Sequence, residues 1–278
     1  MISMIKMRFS AFWSSVLLLL LRFPMQGFSD GIYSRQLLNE AHHDLERFAI
    51  VRPFAVADSN DLLKTFNDWD TFTPCSGNGS VPTDLYLVFS QNLEDYPKIN
   101  GNYTQFMENI FSYNWTSCFQ NISVLSANIP PELDIYKPKY SHNSSTWVSG
   151  PNLQFQYIAS HMENRTWGQY DCWYLMEGDS VVKKPLWMDA IFQEITLNKP
   201  FSIMGSNYRG NLWDNFMDGL PFSLRFHVNG NGIYNSSHPL TQYLVQRLKE
   251  REDNASVAYD YLFSQEVFKL NSPDYGYG

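Results

Sequence analysis

Basic residues are scarce in this chain, and their scarcity excludes a class of partner. Its 278 residues include 20 Lys and Arg against 28 Asp and Glu, a formal charge of −8 with a pI of about 5.2. No basic run goes beyond isolated pairs, whereas a duplex-binding face needs clustered Lys and Arg, so nucleic acid is not an expected partner. With so few cationic clamps, any phosphate handled here is expected to arrive with a metal ion. Cysteine is sparse as well: Cys75, Cys118 and Cys172 lack CxxC spacing, which argues against a structural zinc. There is no GxSxG elbow, no phosphate loop, no HExxH and no GxGxxG after a strand. Internal repeats, low-complexity blocks and any clear linker after residue 45 are missing too.

What is abundant is apolar and aromatic material, 44% and 16% of the chain, ample for a sizeable core. The apolar run AFWSSVLLLLL, Ala11 to Leu21, follows Lys6 and Arg8. It has signal-peptide length and falls short of the roughly 20 residues that span a bilayer as a helix. Phe23 to Phe28 prolong it past Arg22, which can snorkel, so a cleaved signal peptide and a retained signal-anchor both stand. Eight Asn-x-Ser/Thr sequons, at Asn78, Asn102, Asn114, Asn121, Asn143, Asn164, Asn235 and Asn254, agree with export; chance would supply about three. In an oxidising lumen the simplest cysteine arrangement is one disulfide, Cys75–Cys118 first, with Cys172 packed inside a strand. The division expected is a leader over residues 1–29, a short stem over 30–46, one catalytic-sized domain over 47–270 and a tail over 271–278. Localisation follows as the secretory pathway: the Golgi or endoplasmic-reticulum lumen as a single-pass type II protein, or secretion.

Along the chain, strand patterns alternate with helix patterns. Strands are predicted at AIVRPFAVA (49–57), DLYLVFS (84–90), NISVLSANI (121–129), YDCWYLM (170–176), PFSIMGS (200–206) and SLRFHVNGNGIY (223–234), the last running into a tight turn. Helices are predicted over 59–69, 102–113, 152–162, 185–195, 209–218, 239–251 and 256–268. This alternation predicts an α/β sandwich, a three-layer α/β/α arrangement around a mostly parallel sheet.

The stretch WYLMEGDS places two carboxylates, Glu177 and Asp179, around a glycine at the exit of an apolar strand. In open α/β sheets ligands gather at strand carboxyl ends. Acids two apart on extended chain project the same way, and Gly178 lets the backbone bend close to a ligand. A hard divalent cation suits such oxygen donors and shares them with phosphates. An ordinary polar turn explains the triplet equally well. A glycoside hydrolase also uses two carboxylates, but it draws them from separate elements and needs no metal.

WYLMEGDS followed by KPLWMDAI resembles the strand, DxD-type acidic triplet and helix of nucleotide-sugar glycosyltransferases of the GT-A fold, with Glu177 where the first Asp usually stands. FHVNGNGIY resembles the late His-x-Asn-Gly-Asn segment of some such enzymes. The resemblance spans about residues 47 to 270 and rests on motifs. It implies a luminal transferase moving a sugar from a nucleotide-diphosphate donor to a glycan or glycoprotein, with Mn²⁺ or Mg²⁺ as cofactor. The alternative is a secreted carbohydrate-binding or inactive relative.

By that resemblance Asp179 bridges a metal to the donor diphosphate, with Glu177 and His227 as further metal ligands. Ser90 and Gln91, at the exit of DLYLVFS, match the first donor-binding strand. Asn152, at the start of a helix whose N-terminus favours anions, is a donor contact or simply a cap. His227 is a ligand or a satisfied core histidine, and the Asn229–Gly232 run reads as a type I′ turn, with Asn229 and Asn231 as substrate contacts. Between the triplet and His227, Tyr208 and Trp213 suit sugar stacking and Arg209 suits a phosphate or carboxylate. Asp214 and Asp218 are candidate general bases or ordinary helix-surface acids. Asp189 belongs to the helix after the triplet.

Overall fold

The computed structural model describes residues 45–77, 81–136, 148–207, 227–251 and 257–271. A six-stranded sheet of order β3-β2-β1-β4-β6-β5 forms its centre, built from β1 (Phe48–Phe54), β2 (Thr83–Phe89), β3 (Asn121–Ser126), β4 (Cys172–Leu175), β5 (Ile203–Asn207) and β6 (Val228–Asn235). β1 pairs in parallel with β2 and β4, β2 with β3, and only β6 runs against its neighbours, so the sheet is mostly parallel as expected. Strand order reverses between β1 and β4, and the region beyond their carboxyl ends is where open α/β sheets bind ligands.

The helices are α1 (Ser59–Thr71), α2 (Pro97–Glu108), α3 (Ser149–Glu163), α4 (Trp187–Asn198), α5 (Pro239–Lys249) and α6 (Tyr259–Asn271). Strand alternation sends successive side chains to opposite faces. Phe48, Ile50 and Phe54 of β1 meet Leu62, Phe66 and Trp69 of α1, Phe106 of α2 and Met188 of α4. Ala49 and Val51 meet Phe155 and Ile158 of α3, Leu244 of α5 and Leu262 of α6. Helices therefore cover both faces, giving the three-layer α/β/α sandwich.

Cys75 and Cys118 are bonded to each other, and Cys172 is buried and free. Burial pushes the Cys172 thiol up to about 12, so it packs as an inert apolar group. Among the described residues no helix is long and apolar enough to cross a membrane. The 11–21 run and the sequons Asn78, Asn143 and Asn254 lie outside the described residues. Asn114, Asn121 and Asn164 are exposed. Asn235 is buried, and its side-chain nitrogen donates to the Phe201 carbonyl at 3.0 Å. A glycan on Asn235 is incompatible with that packing.

Several boundaries moved: the helix expected over 102–113 runs Pro97–Glu108, and the strands expected to reach 57 and 129 end at Phe54 and Ser126. Two further changes have visible tertiary reasons. The helix expected from Pro185 starts at Trp187, because Leu186 N–H donates to Thr73 O and Met188 N–H to Pro74 O beside the disulfide. The expected hairpin turn at Asn229–Gly232 is absent: β6 runs through it as a strand, with a bulge opposite Ser206 of β5. Gly230 supplies the positive φ, +58°, that the bulge needs. Asn-Gly signals a demand for left-handed backbone, and a bulge meets that demand as well as a turn does.

His238 caps α5 by accepting from Leu240 N–H at Nδ1, which requires a neutral ring, and burial lowers its pKa from 6.5 to about 4. As pH falls from 6.5 to about 4 the unfolded chain takes up a proton that the folded chain refuses, so stability is lost across that window. The loss should reach on the order of 3 kcal/mol. His238→Asn keeps a capping oxygen and should flatten this part of the pH profile of urea midpoints relative to wild type. Parallel profiles for the two proteins would refute it.

Candidate functional site

The acidic stretch leaves the sheet where the strand order reverses. β4 ends level with Val51 of β1, and Met176 N–H continues the ladder onto Val51 O at 2.9 Å. The chain then turns back, with Ser180 N–H donating to Glu177 O at 3.0 Å. Gly178 lies so close to β1 that a Cβ there would sit 3.1 Å from Pro53 O. The expected backbone approach at this glycine is real, and the first thing it approaches is the protein's own strand end.

Two side chains fix the turn from opposite sides. From below, Arg52 is completely buried. Its Nη2 reaches the carbonyls of Glu177 (3.3 Å), Gly178 (3.1 Å) and Ser180 (3.1 Å), while Nη1 donates to Thr65 Oγ1 at 2.8 Å. From the side, Asn231 Oδ1 accepts from Glu177 N–H at 2.9 Å and from Ser180 Oγ at 2.7 Å, and Asn231 Nδ2 donates to Glu177 Oε2 at 3.0 Å. The β6 bulge aims Asn231 this way. It also brings Gly230 against the carboxylate: a Cβ on Gly230 would lie 2.1 Å from Glu177 Oε1. Asn231, expected to contact substrate, is committed to holding the turn.

The electrostatics separate the two acids. Glu177 is half-buried, and its pKa is pushed up to about 7, chiefly by desolvation and further by Asp179 and Asp260. Asp179 is exposed at the tip of the turn. Around them stand further carboxylates. Asp58, after β1, is raised by burial and then by Asp179, Asp61 and Asp134. Asp260, in the first turn of α6, is raised by burial, although His227 and backbone N–H groups oppose the rise. The Nε2 of buried His227 lies 3.7 Å from Asp260 Oδ2. An unaccompanied diphosphate would meet an acidic rim here.

The structure brings the predicted residues together only in part. Among the described residues no group of three His, Cys, Asp or Glu converges well enough to hold an ion, so Glu177, Asp179 and His227 do not form one ligand set. The donor chemistry still fits a shared cation, since Mg²⁺-type sites use one or two carboxylates completed by substrate phosphates and water. Asp179 is the placed candidate for such a ligand.

Ser90 Oγ and Gln91 Nε2 both donate to Asp134 Oδ2, at 2.6 and 2.7 Å. Asp134 also sits on the first turn of α3, where a Cβ on Gly150 would meet its Oδ1 at 2.6 Å. The chain's own carboxylate thus lies against the first turn of α3, held by Ser90 and Gln91. Asn152 is 1% exposed, its Nδ2 donating to Val257 O at 2.7 Å and its Oδ1 accepting from Tyr259 N–H at 2.9 Å. It clamps the entry to α6, which corrects its reading as a donor contact. Asp189 Oδ2 accepts from Ser76 N–H and is structural, as read. Asn229 lies in the bulge of β6. Tyr208, Arg209, Trp213, Asp214 and Asp218 lie outside the described residues.

Sequence reasoning missed Arg52, Asp58, Asp134 and Asp260. Arg52 had a signal: it shares the alternation of Phe48, Ile50 and Phe54, so a cation stood at a core-facing position of a buried strand. Asp260 had a weaker one, an acid in a helix's first turn. Asp58 and Asp134 become site residues only because strands distant in sequence pair.

No protein-family model matches the chain, and no curated protein matches it. Solved structures with a related chain path include mouse xyloside xylosyltransferase 1 in its apo form, with 11% identity, 82% of this chain and 83% of that chain covered, and a TM-score of 0.45. The mannosyltransferase Ktr4p from S. cerevisiae has 11% identity, 90% and 79% coverage and a TM-score of 0.44. Glucosyl-3-phosphoglycerate synthase from Mycobacterium tuberculosis, in complex with UDP, has 13% identity, 87% and 83% coverage and a TM-score of 0.40. At these scores the likenesses assign no residue a role.

Proposed function

We propose that this chain is a metal-dependent glycosyltransferase of the secretory pathway that moves a sugar from a nucleotide-diphosphate donor to a glycan or glycoprotein hydroxyl. The observation that carries the reading is the Glu177–Ser180 turn: it is held at the reversal point of a mostly parallel sheet and leaves Asp179 exposed beyond the strand ends. The surrounding acids support a role for a cation, because Asp58, Asp134 and Asp260 would otherwise repel a diphosphate. A divalent ion, Mn²⁺ or Mg²⁺, would supply charge neutralisation for the departing diphosphate. Asp179 would ligate it, Glu177 would shape the turn through Asn231, and Ser90 and Gln91 would fix Asp134 on the β2 side. Asp214 and Asp218 are the proposed bases on the acceptor side.

A second reading, a sugar-binding relative without catalysis, is favoured by Asp134 lying against the first turn of α3. Calorimetric titration of UDP- and GDP-sugars with and without Mn²⁺ separates the two. The transferase should bind at least one nucleotide sugar, and only with the ion. Binding of free glycans together with no binding of any nucleotide sugar would establish the second reading in its place.

A further inference from the structure

We propose that Arg52 is the positioning residue of the acidic turn: its guanidinium holds the backbone from Glu177 to Ser180 in the shape that presents Asp179, with no bound ion required. The inference deepens the transferase reading, because it says how the ion-binding turn is formed before any ligand arrives.

Four observations converge on it. Arg52 is wholly buried, and among the described residues it forms no ion pair with a carboxylate. A buried guanidinium needs acceptors, since leaving it unpaired carries a large desolvation penalty. The acceptors it finds are three carbonyls of one short turn, all reached by Nη2. Its plane is fixed independently: Nη1 is tied to Thr65 Oγ1, and the group lies 5.5 Å from the ring centroids of both Phe66 and Trp69.

The residue type follows from this geometry. A planar fork can hold α1 through one nitrogen and the turn through another, whereas a lysine has one nitrogen and cannot span both. Burial lowers the pKa of Arg52 to about 10, which still leaves the guanidinium protonated at neutral pH. The carbonyls converge inward on the buried guanidinium, and the Asp179 side chain is left exposed. A flexible turn would have to order itself on each binding event; this one is already ordered.

The test compares wild type with Arg52→Lys, Arg52→Gln and the milder Thr65→Val by hydrogen–deuterium exchange of the whole protein, without ligand. Charge-assisted hydrogen bonds of this kind predict exchange at least about tenfold faster across residues 176–181 in both Arg52 variants, and a smaller rise in Thr65→Val. Peptides from β2, β3 and α5 should exchange as in wild type. Mn²⁺-dependent binding of UDP or GDP should weaken by about tenfold or more in Arg52→Lys, which keeps the charge and loses the fork. Unchanged exchange over 176–181, or an equal acceleration of every peptide, would overturn the inference. Should the Arg52 variants not fold, Thr65→Val decides by the same local reading. If wild type binds no nucleotide with Mn²⁺, the transferase reading fails while the exchange result still judges the positioning role.

Discussion

Asp179→Asn should reduce sugar-donor turnover by about a hundredfold or more while leaving the thermal midpoint essentially unchanged. The two halves of that expectation have separate causes. Asp179 is exposed, and among the described residues its carboxylate accepts no hydrogen bond, so an isosteric amide disturbs no packing. Its backbone neighbours are held by Arg52 and Asn231, which the substitution does not touch. What is lost is one negative oxygen at the tip of the turn, which is what a hard cation would bind. The measurement is Mn²⁺-dependent hydrolysis of whichever nucleotide sugar binds in calorimetry, beside a melting curve. Full turnover in the variant would remove Asp179 from the chemistry.

The largest stability effect is expected at the opposite, amino-terminal ends of the strands. Asp84 is 1% exposed, and its oxygens accept from Arg47 Nη2 at 2.7 Å, Tyr170 Oη at 2.5 Å and Asn121 Nδ2 at 2.9 Å. The Arg47 guanidinium also lies 5.0 Å over the Tyr170 ring, and Tyr86 shares a 2.7 Å hydrogen bond with the Tyr170 hydroxyl. One carboxylate therefore joins the entry to β1, the starts of β2 and β3, and the segment before β4. Asp84→Ala removes the acceptor that Arg47, Tyr170 and Asn121 share and should cost about 3 kcal/mol. For a domain of this size that lowers the thermal midpoint by roughly 10 °C. Urea denaturation would refute the assignment with a loss below about 1 kcal/mol. Because this network lies at the amino ends of the strands, exchange in the Glu177–Ser180 turn should follow only the global change.

The contrast between these two carboxylates shows what could be read in advance. Asp179 was legible because its signal is local: an apolar strand, a short acidic triplet and a glycine. Asp84 opens a strand in the sequence and nothing near it in the chain shows that Arg47, Asn121 and Tyr170 will surround it. Asn152 was misread for the same reason. A polar residue at a helix start has a local meaning, a cap or an anion contact, and its real partners at Val257 and Tyr259 are more than a hundred residues away.

By itself the sequence determined the α/β alternation, the places of the six strands with β2 and β4 to within two residues at each end, the burial of Cys172 and the place of the acidic turn at a strand exit. These follow from hydrophobic period and turn chemistry, both of which act over a few residues. Only the tertiary structure decided that Asn229–Gly232 is a bulge and not a turn, that Asn231 and Arg52 brace Glu177–Ser180, that Asp134 lies against the first turn of α3, and that Glu177, Asp179 and His227 stay apart as ligands. Each of those outcomes depends on which strand lies beside which, and strand order is set by packing over the whole sheet.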